Sequence, residues 1–256
     1  MSLEAELPGR KMPLEAIQMI CLRYLVISRY IPGKTILEVG CGAGLGLNYL
    51  SRYAASVTAG DISAENLLHA RKNSNNKVQL DCFDAHNMPF SDGLFDVVAA
   101  MQVILYLDID RFLKECKRVL KKGGTLIINL PNKDRPYFRP SRLSKNYFSA
   151  PELYAALDRH SFDTELFGAF PVPESATWSV WQKARIAAGK ALNLIPGGKR
   201  IKGRLAGAIS GADTVLKSDI GQHIDDGILE GIDIVPISHD IPNHGYQILY
   251  AVSRLR

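Results

Sequence analysis

The chain of 256 residues is predicted to fold as an α/β domain on a doubly wound, mostly parallel sheet. Three observations predict it. Apolar runs of strand length alternate with segments of helical period from residue 35 to about residue 130, the pattern of a parallel sheet with crossover helices. The first run, Ile36-Leu37-Glu38-Val39, enters a glycine-rich turn, Gly40-Cys41-Gly42-Ala43-Gly44. Asp61 then follows Gly40 by 21 residues, at the end of the next apolar run.

The elements follow in order. Residues 12 to 31 carry Leu14, Ile17, Ile20, Cys21, Tyr24 and Leu25 at helical spacing, and Pro32-Gly33 ends the segment. Tyr24 and Tyr30 on this helix are possible site residues, with core packing the favoured role for each. Thr35 to Val39 reads as a buried strand and Leu45 to Arg52 as the helix after it. Ser56 to Ser63 is the second strand, and Ser63 is the N-cap of a helix through Asn73. Lys77 to Leu80 opens the third strand. Ser91-Asp92-Gly93 is a turn, and Phe95 to Met101 is the fourth strand. Asp108 or Asp110 caps a helix with the stripe Phe112, Leu113, Cys116, Val119 and Leu120, which Gly123 stops. Thr125 to Ile128 is the fifth strand. Ser149-Ala150-Pro151-Glu152 is a capping box for a helix to about His160. Asp163 to Phe170 and Tyr246 to Arg254 are the last strands.

A glycine-rich turn between strand and helix brings backbone close to a ligand, because a Cβ would collide or forbid the dihedrals. It also presents free N–H groups, which favour an anion. A dinucleotide site requires Gly-x-Gly-x-x-Gly. Counted from Gly40 the third glycine falls on Leu45, and from Gly42 on Leu47, so the dinucleotide reading fails in both registers. What stands is Glu-x-Gly-x-Gly-x-Gly.

That block resembles motif I of the class I S-adenosylmethionine-dependent methyltransferases. The resemblance continues through Ser56–Ser63, Asp81-Cys82-Phe83-Asp84-Ala85-His86-Asn87-Met88-Pro89-Phe90, Phe95–Met101 and Leu120–Ile128. It covers roughly residues 35 to 130, and five blocks in order make a chance match improbable. The Asp-Ala-x-x-Met-Pro-Phe block is similar to the small-molecule type 11 branch, which modifies quinones, sterols and sugars. The resemblance implies a Rossmann-like sheet of seven strands with an antiparallel last strand. It also implies S-adenosylmethionine as cofactor and S-adenosylhomocysteine as product. By analogy Glu38 orders the loop near the methionine amino group, and Gly40, Cys41, Gly42 and Gly44 line it. Asp61 accepts from the ribose hydroxyls and Ile62 packs on the adenine. Asp84 and Ala85 read the adenine edge, and Met101 and Gln102 lie beside the sulfonium. His86 is read as a surface residue of a tight turn.

The chain departs from the family in two places. Many relatives carry Glu-His-Val after the fourth strand, where this chain has Ile104-Leu105-Tyr106-Leu107-Asp108, so the sequence names no general base. The second departure is an insertion of about 75 residues from Pro171 to Gly245, longer than compact domains usually carry without a function. Its charges are segregated. Lys183, Arg185, Lys190, Lys199, Arg200, Lys202 and Arg204 fall in its first half, with a helix expected from Thr177 to Leu194 bearing Trp178 and Trp181. Asp213, Asp219, Asp225, Asp226, Glu230, Asp233 and Asp240 fall in its second. The insertion is read as a substrate lid or a homodimer contact, and its His223, His239 and His244 as surface or loop residues. The loop Asn132–Tyr147, with Tyr137, Phe138, Arg139, Arg142, Lys145 and Tyr147, follows the fifth strand at the edge where α/β sheets bind ligands. The expected organisation is a helical cap over 1–34, a core of 35–170 with 246–256, and the insertion 171–245.

Composition narrows the rest. The net charge of +5 is modest, and nucleic acid is disfavoured as a partner, with no appended RNA-binding module. No apolar run approaches the roughly 20 residues of a membrane span, and residues 1–11 lack the apolar centre of a signal peptide. Cys21, Cys41, Cys82 and Cys116 form no C-x-x-C pair and no metal-ligand spacing. They read as reduced thiols in a cytoplasmic protein with no metal. The expected activity is methyl transfer to an O, N or C nucleophile of a small molecule. An RNA or protein methyltransferase and a non-catalytic, cofactor-binding regulator are the alternatives.

Overall fold

The computed structural model describes residues 6–172 and 214–256. The expected helix over 177–194, its two tryptophans and the basic half of the insertion lie outside these residues. In chain order the elements are β1 (Lys11–Met12), α1 (Leu14–Ser28), β2 (Thr35–Val39), α2 (Leu47–Leu50), β3 (Ser56–Asp61), α3 (Ala64–Asn73), β4 (Val78–Cys82) and β5 (Phe95–Met101). A 3-10 turn follows at Ile104–Tyr106. Then come α4 (Ile109–Val119), β6 (Leu120–Pro131), α5 (Ala150–Arg159), β7 (Phe162–Pro171), β8 (Thr214–Val215), α6 (Gly221–Asp225), β9 (Val235–Pro236) and β10 (Tyr246–Leu255).

The main sheet runs β4-β3-β2-β5-β6-β10-β7-β9. β2, β3, β4, β5 and β6 pair in parallel. β10 is antiparallel to both β6 and β7, as expected for the last strand. The expected seven strands are present, and β9, drawn from the insertion, adds an eighth at the β7 edge. Its two residues are too few to show a strand period in sequence. β1 and β8 form a separate antiparallel pair.

Both faces of the sheet are covered, which is why its strands are apolar without alternation. Side chains still alternate between faces. Ile36, Val57, Val97 and Ile127 pack with α1, α2 and α3 on one side. Leu37, Val98, Leu126 and Ile128 pack with α4 and α5 on the other. N-caps start the helices where expected. Ser63 accepts from Asn66 N, Asp108 accepts from Arg111 N, and Ser149 and Glu152 complete a capping box.

Two boundaries differ from expectation. α4 ends at Val119, and Leu120 already pairs with Phe95 in the sheet. Gly123, at φ +71°, lies inside β6, where the β5–β6 register shifts; it shapes a strand irregularity instead of stopping the helix. α2 is a single turn. Gly46, at its start, is pressed against the Tyr24 ring so closely that a Cβ would lie 2.0 Å from it.

Candidate functional site

The carboxyl ends of β2, β3, β4 and β5 converge on one edge, because parallel strands all point the same way. The glycine loop leaves β2 there and is pinned to β3. Gly60 O accepts from Gly40 N at 2.7 Å and from Cys41 N at 3.0 Å. Gly42 N donates to Asp61 Oδ2 at 3.0 Å. Gly40, Gly42 and Gly44 all have positive φ, the region where a Cβ is strained. Their surroundings differ. A Cβ on Gly40 would meet Val103 Cγ2 at 2.1 Å, and one on Gly44 would meet Ala70 on α3 at 2.9 Å. One on Gly42 would meet nothing within 4 Å. Gly42 therefore borders open space, while Gly40 and Gly44 also allow close packing of protein on protein.

Glu38, at the end of β2, is 1% exposed. Tyr24 on α1 donates its hydroxyl to Glu38 Oε1 at 3.0 Å. Oε2 is buried without a hydrogen-bond partner, an arrangement that costs free energy unless a donor arrives. Burial raises the Glu38 pKa to about 7, against the lowering effects of the Tyr24 hydrogen bond and the Arg23 charge. Arg23 is itself paired with Glu6 at 3.0 Å. Burial, aided by the Glu38 and Asp61 charges, also pushes the Cys41 thiol far up, so Cys41 is a neutral filler of the loop. Tyr24, read as core packing, holds the acid as well. A hydroxyl at a buried helix position was the one sequence signal for it.

Asp61 ends β3. Its Oδ2 accepts from Gly42 N, and its Oδ1 accepts from Ser63 N at 2.9 Å. One donor per oxygen leaves lone pairs for two more. Ile62 is 73% exposed, an apolar platform beside that carboxylate. Beyond β4, Asp84 O accepts from Asn87 N at 2.9 Å, closing a turn, and Ala85 is buried within it. The His86 side chain is 13% exposed and pairs with Asp84 Oδ1. It is not the surface residue the sequence implied, because both ring nitrogens are engaged. The backbone hydrogen bond from His86 is the largest of the effects that hold the Asp84 carboxyl below its usual range.

Met101 is buried at the end of β5. Gln102 follows with φ +61°, a conformation that costs about 1–3 kcal/mol and persists only where its surroundings fix it. Asn129 on β6 fixes it: Gln102 N donates to Asn129 O at 3.0 Å and to Asn129 Oδ1 at 3.1 Å. Sequence reasoning did not single out Asn129, although an asparagine inside the apolar run Leu126–Leu130 was a signal.

The segment after β5 joins the loop 132–147. Leu105 O accepts from Lys145 N at 2.7 Å, and Leu107 O accepts from Asn146 Nδ2 at 2.6 Å. Within the loop Phe138 and Tyr147 meet edge to face, and the Arg135 guanidinium lies 5.7 Å from the Phe138 centroid. Burial lowers the Arg135 pKa, so this cation is partly stripped of water. Of the insertion histidines only His223 departs from the surface or loop position expected; His239 and His244 lie in loops. His223 is buried and accepts from Lys217 N, His239 stacks on Tyr154, and His244 pairs with Asp134 O. Among the described residues no His, Cys, Asp or Glu group has the arrangement of a metal site.

The edge thus offers a buried acceptor for a cation at Glu38, lone pairs for a diol at Asp61, and an apolar face for a planar ring at Ile62. Residues 37–128 match the family model described as a methyltransferase domain. The ubiquinone biosynthesis O-methyltransferase of Coxiella burnetii is 31% identical over 131 residues, 49% of this chain and 56% of that protein. A probable S-adenosylmethionine-dependent methyltransferase of Mycolicibacterium smegmatis is 33% identical over 135 residues, 52% of this chain and 51% of its own. The chain thus spans little more than half the length of these relatives. A solved S-adenosylmethionine-dependent methyltransferase of Thermotoga maritima shares the fold, with TM-score 0.58 at 15% identity over 95% of this chain and 91% of that one. The glycine loop, the buried acid and the acid ending β3 all fall within residues 37–128, the segment that matches the methyltransferase-domain family.

Proposed function

We propose that the protein transfers a methyl group from S-adenosylmethionine to a nucleophile of a small molecule, with S-adenosylhomocysteine as product. The observation that carries the reading is the half-satisfied Glu38 beside the open space at Gly42. A buried carboxylate oxygen without a donor fits an ammonium group, and the cofactor brings one. In this reading Asp61 takes the ribose hydroxyls, Ile62 the adenine face, and Asp84 and Ala85 the adenine edge. Met101 and Gln102 line the reacting end, and Gly40, Cys41 and Gly44 shape the loop.

When bound, the cofactor supplies a methyl group on a sulfonium leaving group that is already activated. The residues then have positioning and desolvation to contribute, which amounts to effective molarities on the order of 10⁵ M or more. The strained Gln102 and the rigid turn at Ile104–Tyr106 hold the acceptor side of that geometry. The relatives named as ubiquinone biosynthesis O-methyltransferases support an oxygen of a small molecule as the leading acceptor atom. An amine or a carbon is the alternative within the same class.

We read 1–34 as a helical cap, 35–170 with 246–256 as the core, and 171–245 as a lid. Several contacts support the lid over a dimer contact. β8 pairs with β1, and Ile220 N donates to Leu45 O directly after the glycine loop. Arg52 bonds Asp219 and Asp225, and Arg29 bonds Asp233. Among the described residues no helix is long and apolar enough to cross a membrane. Four free cysteines support a cytoplasmic setting.

Incubation with methyl-labelled cofactor and a cell extract, separated into small molecules, RNA and protein, tests the activity. Label is expected in the small-molecule fraction. Label in RNA or protein alone, or in no fraction despite tight cofactor binding, would overturn the reading.

A further inference from the structure

The Asp84 turn holds a histidine whose tautomer is set by its neighbours. His86 Nε2 lies 3.0 Å from Asp108 N. A backbone N–H can only donate, so Nε2 carries a lone pair and no proton. The ring proton is therefore on Nδ1, which donates to Asp84 Oδ1 at 2.7 Å. The His86 backbone N–H donates to the same oxygen at 2.9 Å. Oδ1 thus receives two donors on fixed groups, and Oδ2 is left to accept from a ligand.

The geometry points to His86 as a positioning residue that orients Asp84 for the amino group of a purine ring. The inference rests on the cofactor reading above. The rest of the loop does not depend on His86. Met88 N donates to Glu115 Oε2 at 2.7 Å, and Arg118 donates to the carbonyls of Met88 and Phe90 at 2.8 and 2.6 Å. Loss of the imidazole therefore leaves Asp84 Oδ1 held by the His86 backbone N–H alone, with the carboxylate free to swing about that one bond, while α4 keeps the loop. His86 also ties the adenine side to the acceptor side. Asp108, whose N–H donates to His86 Nε2, caps α4 and directly follows Leu107, whose carbonyl accepts from Asn146.

The test uses the full chain and calorimetry with S-adenosylhomocysteine and its inosine counterpart, in which a carbonyl replaces the amino group. Wild type is expected to prefer the amino form by roughly tenfold, the scale of one hydrogen bond to a charged group. His86→Ala and His86→Gln keep only the backbone donor to Asp84 and are expected to lose most of that preference. His86→Asn places an amide N–H near the Nδ1 position and is expected to keep most of it. Nitrogen NMR is expected to show His86 protonated at Nδ1 and bare at Nε2, the less common tautomer of free histidine. A proton on Nε2, or the same preference in wild type, His86→Ala and His86→Asn, would overturn the proposal. If wild type bound neither ligand, the cofactor reading would fail instead.

Discussion

The glycine-loop edge and the docked insertion are built differently. On the cofactor side, contacts lie within a short stretch of chain: Gly42 with Asp61, Ser63 with Asp61, and His86 with Asp84. Where the insertion and the loop after β6 meet the core, partners are far apart in sequence. Arg52 meets Asp225, Gln18 Nε2 donates to Ile228 O, and Asn132 Nδ2 donates to Tyr246 O. The cofactor side needs glycines at positive φ and a buried acid, so residue type is dictated by backbone geometry. These joints need only complementary pairs, which many residues supply. The glycine-loop edge can therefore follow a recurring pattern, while the insertion is docked by contacts peculiar to one chain.

The comparison predicts the largest effect for backbone changes on the cofactor side. Gly40→Ala adds both strain at φ +72° and a clash with Val103. It should cost about 3–5 kcal/mol of stability, the sum of strain and overpacking. Gly42→Ala has the strain without the clash, and should cost about 1 kcal/mol while impairing cofactor binding. Thermal melts and calorimetry on both variants check this. Equal losses of stability would show that the open space at Gly42 has no special role.

A smaller effect comes from protonation. Burial holds Glu38 at a pKa of about 7, above its unfolded value. The folded protein without ligand then binds a proton that the unfolded chain releases, so this group's unfavourable contribution to stability grows as pH rises from the unfolded pKa through about 7. Binding of a cation runs the other way, because it requires the ionised form. Cofactor affinity should fall by up to about tenfold per pH unit below 7 and level off above it. Glu38→Gln should bind weakly with a flat profile. A wild-type affinity that does not change between pH 5.5 and 8, measured by titration at about half-unit steps, would mean that Glu38 does not meet the ammonium.

The smallest effect is expected where the insertion docks on the core. Arg52 pairs with Asp219 and Asp225 at the surface, and such pairs are worth about 0–1 kcal/mol. Arg52→Ala should lower the melting temperature by no more than about 4 °C and leave cofactor affinity unchanged. A larger loss of affinity would show that docking of the acidic half of the insertion supports the glycine loop through Leu45.

The same difference decided what was legible in sequence. β2, β3 and β5 could be placed to within a residue or two because apolar runs, a glycine turn and Ser63 marked their ends. The capping box at Ser149–Glu152 set the start of α5 for the same local reason. β6 could not be bounded, because Leu120 suits a helix stripe and a strand equally and only its pairing with Phe95 decides. Tyr24 as a partner of Glu38, Asn129 as the clamp on Gln102, and β1 with β8 all depend on contacts across the fold. His86 looked exposed because neither Asp84 nor Asp108 reveals in sequence that both ring nitrogens are taken.

The central claim is that the Glu38–Gly42–Asp61 edge binds S-adenosylmethionine, and calorimetric titration of wild type and Asp61→Ala at about pH 8 tests it most directly. One site per chain is predicted, with affinity reduced at least tenfold in Asp61→Ala by loss of hydrogen bonds worth about 1.5–3 kcal/mol each. Absence of binding below about millimolar cofactor, or an Asp61→Ala affinity within about twofold of wild type, would contradict it.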